Sequence, residues 1–260
     1  MTTPSVPDWT TWVPLRGGGP RPALRVFCLP HAGGAASAFR QWTAGVPDGV
    51  EVCAVQLPGR ETRFGEPFAD GIAELAGPLG RALLPLLDVP FALVGNSMGA
   101  LVAYEVARQL EQRFLLTPVR LVAAAAHPPG AAPSRPDLAG LDDDAFVAML
   151  QGRYGGIPQE ILDQPQYLSA YLPVLRADLA MIDAYRPSAR TPLRCPVTAL
   201  VGEDDHSLTL AQADGWRAST GAAFDSQALP GGHFGLFTQR DLVLDRLRAE
   251  AGSPSPAFVS

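Results

Sequence analysis

A serine lies between two glycines at residues 95–99, in the string Gly-Asn-Ser-Met-Gly, where an apolar run ends and a helical pattern begins. A Gly-x-Ser-x-Gly string between a strand and a helix is typical of a nucleophile elbow, which holds a serine hydroxyl in a tight turn. The five residues alone leave a plain glycine-rich turn equally open, because short motifs recur by chance. The flanking strand and helix patterns favour the elbow, and they predict that Ser97 is a nucleophile.

A serine hydroxyl needs a histidine base, and the base needs a carboxylate that orients it. His233 lies on a Gly-Gly loop before the last helical segment, and we predict that it is the base. We interpret the other histidines as loop or rim residues: His31, His127 and His206. A run of acids follows an apolar strand, and the pattern leaves open which acid orients the base: Glu203, Asp204 or Asp205.

Acyl transfer passes through a negatively charged oxygen, which two backbone N–H groups can stabilise. One such donor is the residue after the nucleophile, Met98, and the other is expected in the loop after an early strand. The string "PHAGG" at 30–34 fits that loop, because small residues let the backbone approach a ligand closely. A plain turn is the alternative for this loop.

Near-continuous apolar runs precede these loops, and such runs are typical of strands that are covered on both faces. They lie at 23–30, 50–59, 90–95, 119–126 and 195–202. Helical patterns lie at about 68–87, at 98–113 and, near the end of the chain, at 240–251. Strands alternating with helices predict an α/β fold with a mainly parallel central sheet flanked by helices.

The stretch from about 136 to 186 interrupts this alternation, because it holds two helical patterns with no strand between them. We interpret it as a helical cap, or lid, inserted into a single domain that spans 1–260. The last residues, from about 252 to 260, are expected to form a flexible tail.

Composition excludes several classes of protein. A net charge of −6 argues against nucleic acid or an anionic membrane as the main partner. No run is apolar enough for a membrane helix, and the first residues lack a signal-peptide pattern, so a cytoplasmic location is expected. The three cysteines lie in apolar runs without metal-ligand spacing, which predicts buried free thiols and no metal: Cys28, Cys53 and Cys195.

Several strings, taken together and in order, resemble a known family. These are "LPHAGG", "VQLPGRETRF", "GNSMGA", "LPVLRADLAMIDAYR", "GEDDHS" and "PGGHF". They resemble the stand-alone type II thioesterases that edit polyketide and nonribosomal peptide biosynthesis, which belong to the α/β-hydrolase superfamily. The resemblance covers most of the chain, and the combination of strings is specific although no single string is.

The resemblance implies a role for individual residues. It implies that Ser97 is the nucleophile and His233 the base, and it selects Asp205 as the acid. It also implies that the backbone N–H groups of Ala32 and Met98 form the oxyanion hole. Two positions depart from the family pattern, which usually has His in place of Asn96 and Pro in place of His206. Neither departure touches the triad, but both leave the pocket wall and the substrate in question.

The activity implied by the resemblance is hydrolysis of acyl groups from the phosphopantetheine arm of acyl or peptidyl carrier proteins, with no cofactor and with a transient carrier partner. A monomer is expected. The lid would enclose the acyl chain, and the candidate lining residues are Met149, Leu150, Tyr154, Leu175 and Met181. Arg60 and Arg63 are candidates for contact with an acidic carrier or the pantetheine phosphate; a structural ion pair is the alternative for Arg60.

Two other functions compete with this hypothesis. The first is an esterase or acyltransferase on the same fold that acts on a small-molecule ester, because a fold does not determine a function. The second is a non-catalytic subunit that binds carrier proteins. The presence of all three triad residue types argues against the second.

Overall fold

The computed structural model describes residues 8–131, 138, 140–187 and 191–252. Its strands form one seven-stranded sheet in the order β1-β3-β2-β4-β5-β6-β7. The strands are β1 (Leu15–Gly18), β2 (Leu24–Leu29), β3 (Val50–Ala54), β4 (Phe91–Asn96), β5 (Arg120–Ala124), β6 (Val197–Gly202) and β7 (Phe224–Leu229). The pairing of β1 with β3 is antiparallel and every other pairing is parallel. The predicted α/β fold with a mainly parallel sheet is therefore confirmed.

The five predicted strands correspond to β2 through β6, and all side chains of these strands are buried. The two strands that the sequence did not predict, β1 and β7, lie at the edges of the sheet. Most of their residues are partly or fully exposed. An edge strand that is not covered on both faces needs no continuous apolar run, so its sequence lacks the signal by which the inner strands were recognised.

The α-helices of the described residues are α1 (Trp9–Trp12), α2 (Ile72–Leu83), α3 (Met98–Phe114), α4 (Asp143–Tyr154), α5 (Gln159–Leu162), α6 (Pro165–Ala184), α7 (Leu210–Ala213) and α8 (Arg240–Ala251). The helix predicted at 68–87 is shorter than expected. It begins after Gly71 and gives way at Leu84 to a short 3-10 turn. The helices predicted at 98–113 and 240–251 agree with α3 and α8.

The sheet is buried on both faces, as its apolar strands require. On one face, α2 and α3 pack together against the strands, with Leu79 and Val102 in a common apolar cluster. On the other face, Phe39 and Trp42 pack with Leu244 of α8 in a second cluster. Both sides of every inner strand are therefore removed from water, which stabilises the sheet as a rigid support.

Three helices, α4, α5 and α6, lie between β5 and β6, within the stretch predicted to be a cap. We call these helices the lid. The side chain of Asp142 caps α4 by accepting the N–H of Ala145 at 2.8 Å, and two acids follow in the first turn, where the helix dipole favours them. The lid has its own apolar cluster around Phe146 and Leu179. Residues 136, 137 and 139 of the predicted cap, and 253–260 of the predicted tail, lie outside the described residues.

Within the described ranges, no helix combines the length and apolar character needed to cross a bilayer. The three cysteines are buried and unpaired. The same ranges contain no group of His, Cys, Asp or Glu side chains arranged to hold a metal ion.

Candidate active site

Ser97 lies in a sharp turn between β4 and α3. Its φ of 54° is positive, a conformation that a residue with a side chain adopts only at a cost in energy. A Cβ atom at Gly95 would lie 2.3 Å from the backbone of Gly99, and one at Gly99 would lie 2.2 Å from the carbonyl oxygen of Leu29. Both positions therefore require glycine. The turn places the serine at the carboxyl end of the sheet, where sites form in folds of this kind.

Asp205 and His233 form a buried hydrogen-bonded pair. Nδ1 of His233 lies 2.9 Å from Oδ2 of Asp205, and Ser207 donates its N–H and its hydroxyl to Oδ1 at 2.8 and 2.6 Å. Burial alone would raise the pKa of Asp205, but the hydrogen bonds from His233 and Ser207 outweigh it and hold this pKa below its usual value. The carboxylate is therefore charged at neutral pH. It can keep the proton of the imidazole on Nδ1, so that Nε2 is the basic nitrogen.

The other two acids of the run point elsewhere. Glu203 and Asp204 are exposed, whereas Asp205 is buried. Their backbone N–H groups donate to the carbonyl oxygens of Leu229 and Gly231, at 2.8 and 3.0 Å, and so tie the acid loop to the segment that leads to the base. Of the three acids that the residue pattern left open, Asp205 is the one whose carboxylate meets His233.

Two of the other histidines, His127 and His206, occupy positions that do not suit a catalytic base. Nε2 of His127 lies 3.1 Å from the carbonyl oxygen of Ser207, and the residue lines the rim of the site. His206 is exposed, next to a shallow depression on the surface of the lid. These positions agree with the interpretation of both residues as loop or rim residues.

His31 lines the site itself. Its ring packs edge-on against Phe234, with 4.8 Å between the ring centroids, and its Nδ1 is enclosed without a hydrogen-bond partner in the described residues. Burial, together with the charges of His233 and Arg60, lowers the pKa of His31 to about 4. The ring is therefore neutral at physiological pH and forms part of the wall.

Two backbone N–H groups beside Ser97 are without an acceptor in the described part of the chain. One belongs to Met98, the first residue of α3, and the other to Ala32, in the loop after β2. The first N–H groups of a helix have no partner within the helix and point at its N-terminal end. The two positions suit an oxyanion hole, and the assignment of Ala32 and Met98 stays a prediction.

Ser97 and His233 line two neighbouring cavities. The first, which we call the inner chamber, lies between Ser97 and apolar side chains of the lid. The second, which we call the polar mouth, shares Ser97 and His233 with the first and is bordered by Arg153 and Arg186. Tyr154 borders both cavities, and its ring lies 4.8 Å from that of His233. Ser97 therefore lines both an apolar cavity and a more polar one.

Of the five predicted lining residues, the structure places Leu150, Tyr154 and Leu175 on the inner chamber. The prediction that Met181 lines the chamber is corrected, because this side chain is buried in the main core against the sheet. It follows Leu179 by two positions, and residues two apart on a helix point in nearly opposite directions. The same prediction is corrected for Met149, because this side chain borders the shallow depression beside His206.

The predicted carrier contacts are directed into the protein. Arg60 is buried and forms a two-pronged ion pair with Asp178, at 2.5 and 2.8 Å. Arg63 is also buried, pairs with Glu66 at 2.6 Å and lies over the ring of Trp12. This placement argues against the predicted contact with a carrier, since both guanidinium groups are already bound to carboxylates, and it supports the ion-pair alternative for Arg60.

The two departures from the family pattern have different environments. Asn96 is fully buried, and neither polar atom of its side chain has a partner in the described residues. It directly precedes Ser97, so this amide without a partner lies next to the predicted nucleophile. His206 lies on the surface, away from both cavities.

Some residues of the site were not predicted. Ser207 binds Asp205 and also lies 3.1 Å from Nδ1 of His233. Tyr171 and Phe234 complete the wall of the inner chamber. Two of these had a signal in the sequence, because Ser207 and Phe234 end the strings "GEDDHS" and "PGGHF" that hold the acid and the base. Tyr171 had none, since a tyrosine on a helix can face in any direction.

Comparison with known proteins agrees with this arrangement. The family model described as Thioesterase domain matches residues 24–250. The chain is 36% identical to the gramicidin S biosynthesis protein GrsT of Aneurinibacillus migulanus, over 84% of each chain. Among solved structures, it is similar to RedJ, a thioesterase from the prodiginine pathway of Streptomyces coelicolor, with a TM-score of 0.80, 38% identity and coverage of 88% of this chain and 91% of RedJ. It is also similar to the type II thioesterase BorB from the borrelidin cluster, with a TM-score of 0.81, 32% identity and coverage of 93% and 98%.

Proposed function

The chain belongs to the thioesterase family, and we propose that it hydrolyses acyl groups from the phosphopantetheine arm of carrier proteins, clearing stalled or wrongly loaded units from a polyketide or nonribosomal peptide synthase. The observation that supports this most directly is the 2.9 Å contact between Asp205 and His233, beside cavities that Ser97 also lines. The relatives add the context, since GrsT and RedJ are described by the biosynthetic pathways they serve.

In the proposed first half-reaction, Oγ of Ser97 attacks the thioester carbonyl carbon while Nε2 of His233 takes its proton. The negative oxygen that forms is stabilised by the N–H groups of Ala32 and Met98. The carbon–sulfur bond then breaks, and His233 returns the proton to the departing thiol. The acyl group is left as an ester on Ser97, and the carrier leaves with a free phosphopantetheine thiol.

In the second half-reaction, His233 takes a proton from water, and the hydroxide attacks the acyl ester. The ester bond breaks, the proton returns to Ser97, and the product leaves as a carboxylic acid. Every proposed step uses side chains, backbone N–H groups and water, so the proposal includes no metal and no cofactor.

The two compartments suggest how the substrate is oriented. The acyl group is proposed to occupy the inner chamber, against Leu150 and Leu175, because both side chains are apolar and buried. The arm is proposed to enter through the polar mouth. A lid over the chamber suits a substrate on a long arm, because the lid can open for entry and close around the acyl group. The encounter with the carrier is proposed to be transient, and the enzyme to act as a monomer in the cytoplasm.

The test uses the purified chain and carrier proteins loaded with a panel of acyl groups, followed by intact-mass spectrometry. We expect the mass of each carrier to fall by that of the acyl group, and we expect no release by Ser97→Ala. p-Nitrophenyl esters of the same acids provide the comparison. A preference for these esters over carrier thioesters by orders of magnitude would contradict the proposal and favour an esterase.

A further inference from the structure

Asp178, on α6 of the lid, is a fully buried carboxylate that the proposed mechanism does not use. Arg60 donates to both of its oxygens, at 2.5 Å to Oδ2 and 2.8 Å to Oδ1. A buried charge is costly unless it is paired and its remaining hydrogen-bonding positions are satisfied. The pair therefore joins the lid to the loop that follows β3. Removal of either charge by itself would leave the other one buried and unpaired.

The same carboxylate has a third donor, and this donor lies in the active-site loop. The N–H of Gly33 donates to Oδ2 of Asp178 at 2.7 Å. Gly33 directly follows Ala32, whose N–H is proposed to bind the oxyanion. Because peptide groups are planar, fixing the N–H of Gly33 also fixes the carbonyl of Ala32 and limits the rotation of the peptide before it.

The loop and the lid helix approach closely at this point. Gly33 has a φ of +76°, and a Cβ atom there would lie 2.5 Å from the hydroxyl of Tyr171, which is also on α6. Glycine therefore provides both the backbone conformation and the space that the contact requires. The helix lies directly against the backbone of the loop.

The rest of the loop is held from the sheet side. Arg60 donates to the carbonyl oxygen of Gly34 at 3.3 Å, and the side chain of Gln56 accepts the N–H of Ala36 at 3.1 Å. Gln56 in turn donates to the carbonyl oxygen of Arg60 at 3.0 Å. In the described part of the chain, the bond from Gly33 to Asp178 is the hydrogen bond that joins this loop to the lid.

We infer that Asp178 is a positioning residue that holds the N–H of Ala32 in place for the oxyanion only while α6 is docked, so that closing the lid and completing the oxyanion hole are one event. The inference rests on the proposed function. With the lid open, the donor at Ala32 would be free to turn away, and the thioester would stay intact until the acyl group is enclosed. This would favour hydrolysis of fully seated substrates.

The test compares Asp178→Ala, which removes both acceptor oxygens, with the double variant Arg60→Gln/Asp178→Ala, in which no unpaired charge is left buried. The substrate is a short acyl thioester of N-acetylcysteamine, which needs no carrier. We expect kcat to fall about 10- to 100-fold in both variants, since small displacements of a catalytic group cost up to that much, while KM changes little.

The matched control is Glu51→Gln. Glu51 is also a largely buried carboxylate held by two arginines, Arg16 and Arg25. It lies on β3, near the amino end of the strand and so at the edge of the sheet opposite the site. We expect this variant to lose thermal stability and to keep kcat.

A second readout separates positioning from general loosening. An alkyl trifluoromethyl ketone forms a tetrahedral adduct with a serine nucleophile and places an oxyanion in the hole. We expect its Ki to rise in the Asp178 variants by the same factor by which kcat/KM falls, and to stay unchanged in Glu51→Gln. Folded Asp178 variants with kcat and Ki within twofold of wild type would overturn the inference. Failure of the proposed function would look different, because the wild type itself would then prefer p-nitrophenyl esters to carrier thioesters by orders of magnitude.

Discussion

The proposed catalytic groups and the lid are supported by different kinds of structure. Ser97, Asp205 and His233 each follow a strand of one continuous sheet, and large apolar clusters cover both faces of that sheet. The lid helices share a smaller apolar cluster, and they form one wall of the inner chamber. The proposed catalytic groups are thus held by the most extensively packed part of the molecule, and the proposed enclosure for the acyl group is formed by a less extensively packed part.

The sheet therefore suits groups that must be held in fixed positions, and the lid suits a wall that must open to admit a substrate. Catalytic atoms must stay within fractions of an ångström of their working positions, which a buried sheet ensures. A wall that admits a substrate must open, and segments with fewer buried contacts open at lower cost. Four changes test this comparison, two in the sheet region, one where the regions meet and one in the lid.

The largest effect is expected for Ser97→Ala. Loss of the proposed nucleophile should lower thioesterase kcat by at least about 10⁴-fold, because the proposed mechanism forms its acyl-enzyme on the hydroxyl of Ser97. The melting temperature should change little, since the removed hydroxyl faces a cavity. Steady-state kinetics with an acyl thioester and a thermal melt measure both quantities. Retention of substantial turnover would show that another residue is the nucleophile.

Gly99→Ala tests the rigidity of the sheet region. The new Cβ would lie 2.2 Å from the carbonyl oxygen of Leu29 and 2.6 Å from that of Pro30, and these backbone atoms cannot rotate away as a side chain could. We expect the free energy of unfolding to fall by about 3 kcal/mol, measured by urea denaturation. An unchanged midpoint would mean that the turn can relax, contrary to the comparison.

His31 lies where the sheet region and the lid meet, and it is tested by the pH dependence of the free energy of unfolding. In the folded chain its pKa is lowered from 6.5 to about 4, so between these values the unfolded chain binds more protons at this residue. Stability therefore falls as pH decreases from about 6.5 towards 4. His31→Gln should remove on the order of 2 kcal/mol of that decrease. Urea unfolding of both proteins at pH 7 and pH 4.5 measures it, and equal decreases would exclude this role for His31.

The smallest effect is expected in the lid, with Gly152→Ala. Gly152 lies inside α4 and is exposed, and a Cβ atom at this position would have open space around it, with no neighbouring atom within 4 Å. Alanine favours a helix over glycine by about 0.5–1 kcal/mol. We expect a slight gain in stability and an unchanged kcat. This variant is the matched control for Gly99→Ala, because the same substitution is made in the other region. A large loss of stability in both variants would contradict the difference between the sheet region and the lid.

Much of the fold could be predicted because its signals are local. The inner strands β2 to β6 are continuous apolar runs, and α3 and α8 have helical patterns. The strands β1 and β7 could not be found in this way, because an edge strand is only partly covered. The elbow was predictable for the same reason, since Gly95, Ser97 and Gly99 lie within five residues.

Side-chain direction was less predictable than position. Leu175 and Met181 lie on the same helix and both looked suitable for a chamber, yet one lines it and the other is buried against the sheet. Arg60 was a candidate for carrier contact, with a structural ion pair as the alternative, and it is buried and paired with Asp178. The direction of a side chain depends on how its helix or loop is rotated against its neighbours, and a short string contains no record of that rotation.

The sequence by itself determined the parallel α/β architecture and the glycine–serine string around Ser97, and it supplied His233 as the candidate base and three candidate acids, from which the family resemblance selected Asp205. Only the tertiary structure shows that the carboxylate of Asp205 meets His233, that Arg60 is paired with Asp178, and that Asp178 accepts the N–H of Gly33. Gly33 and Asp178 are 145 positions apart. Residues this far apart in the sequence come into contact only after the sheet and the lid have packed together, because packing alone brings such distant segments within hydrogen-bonding distance.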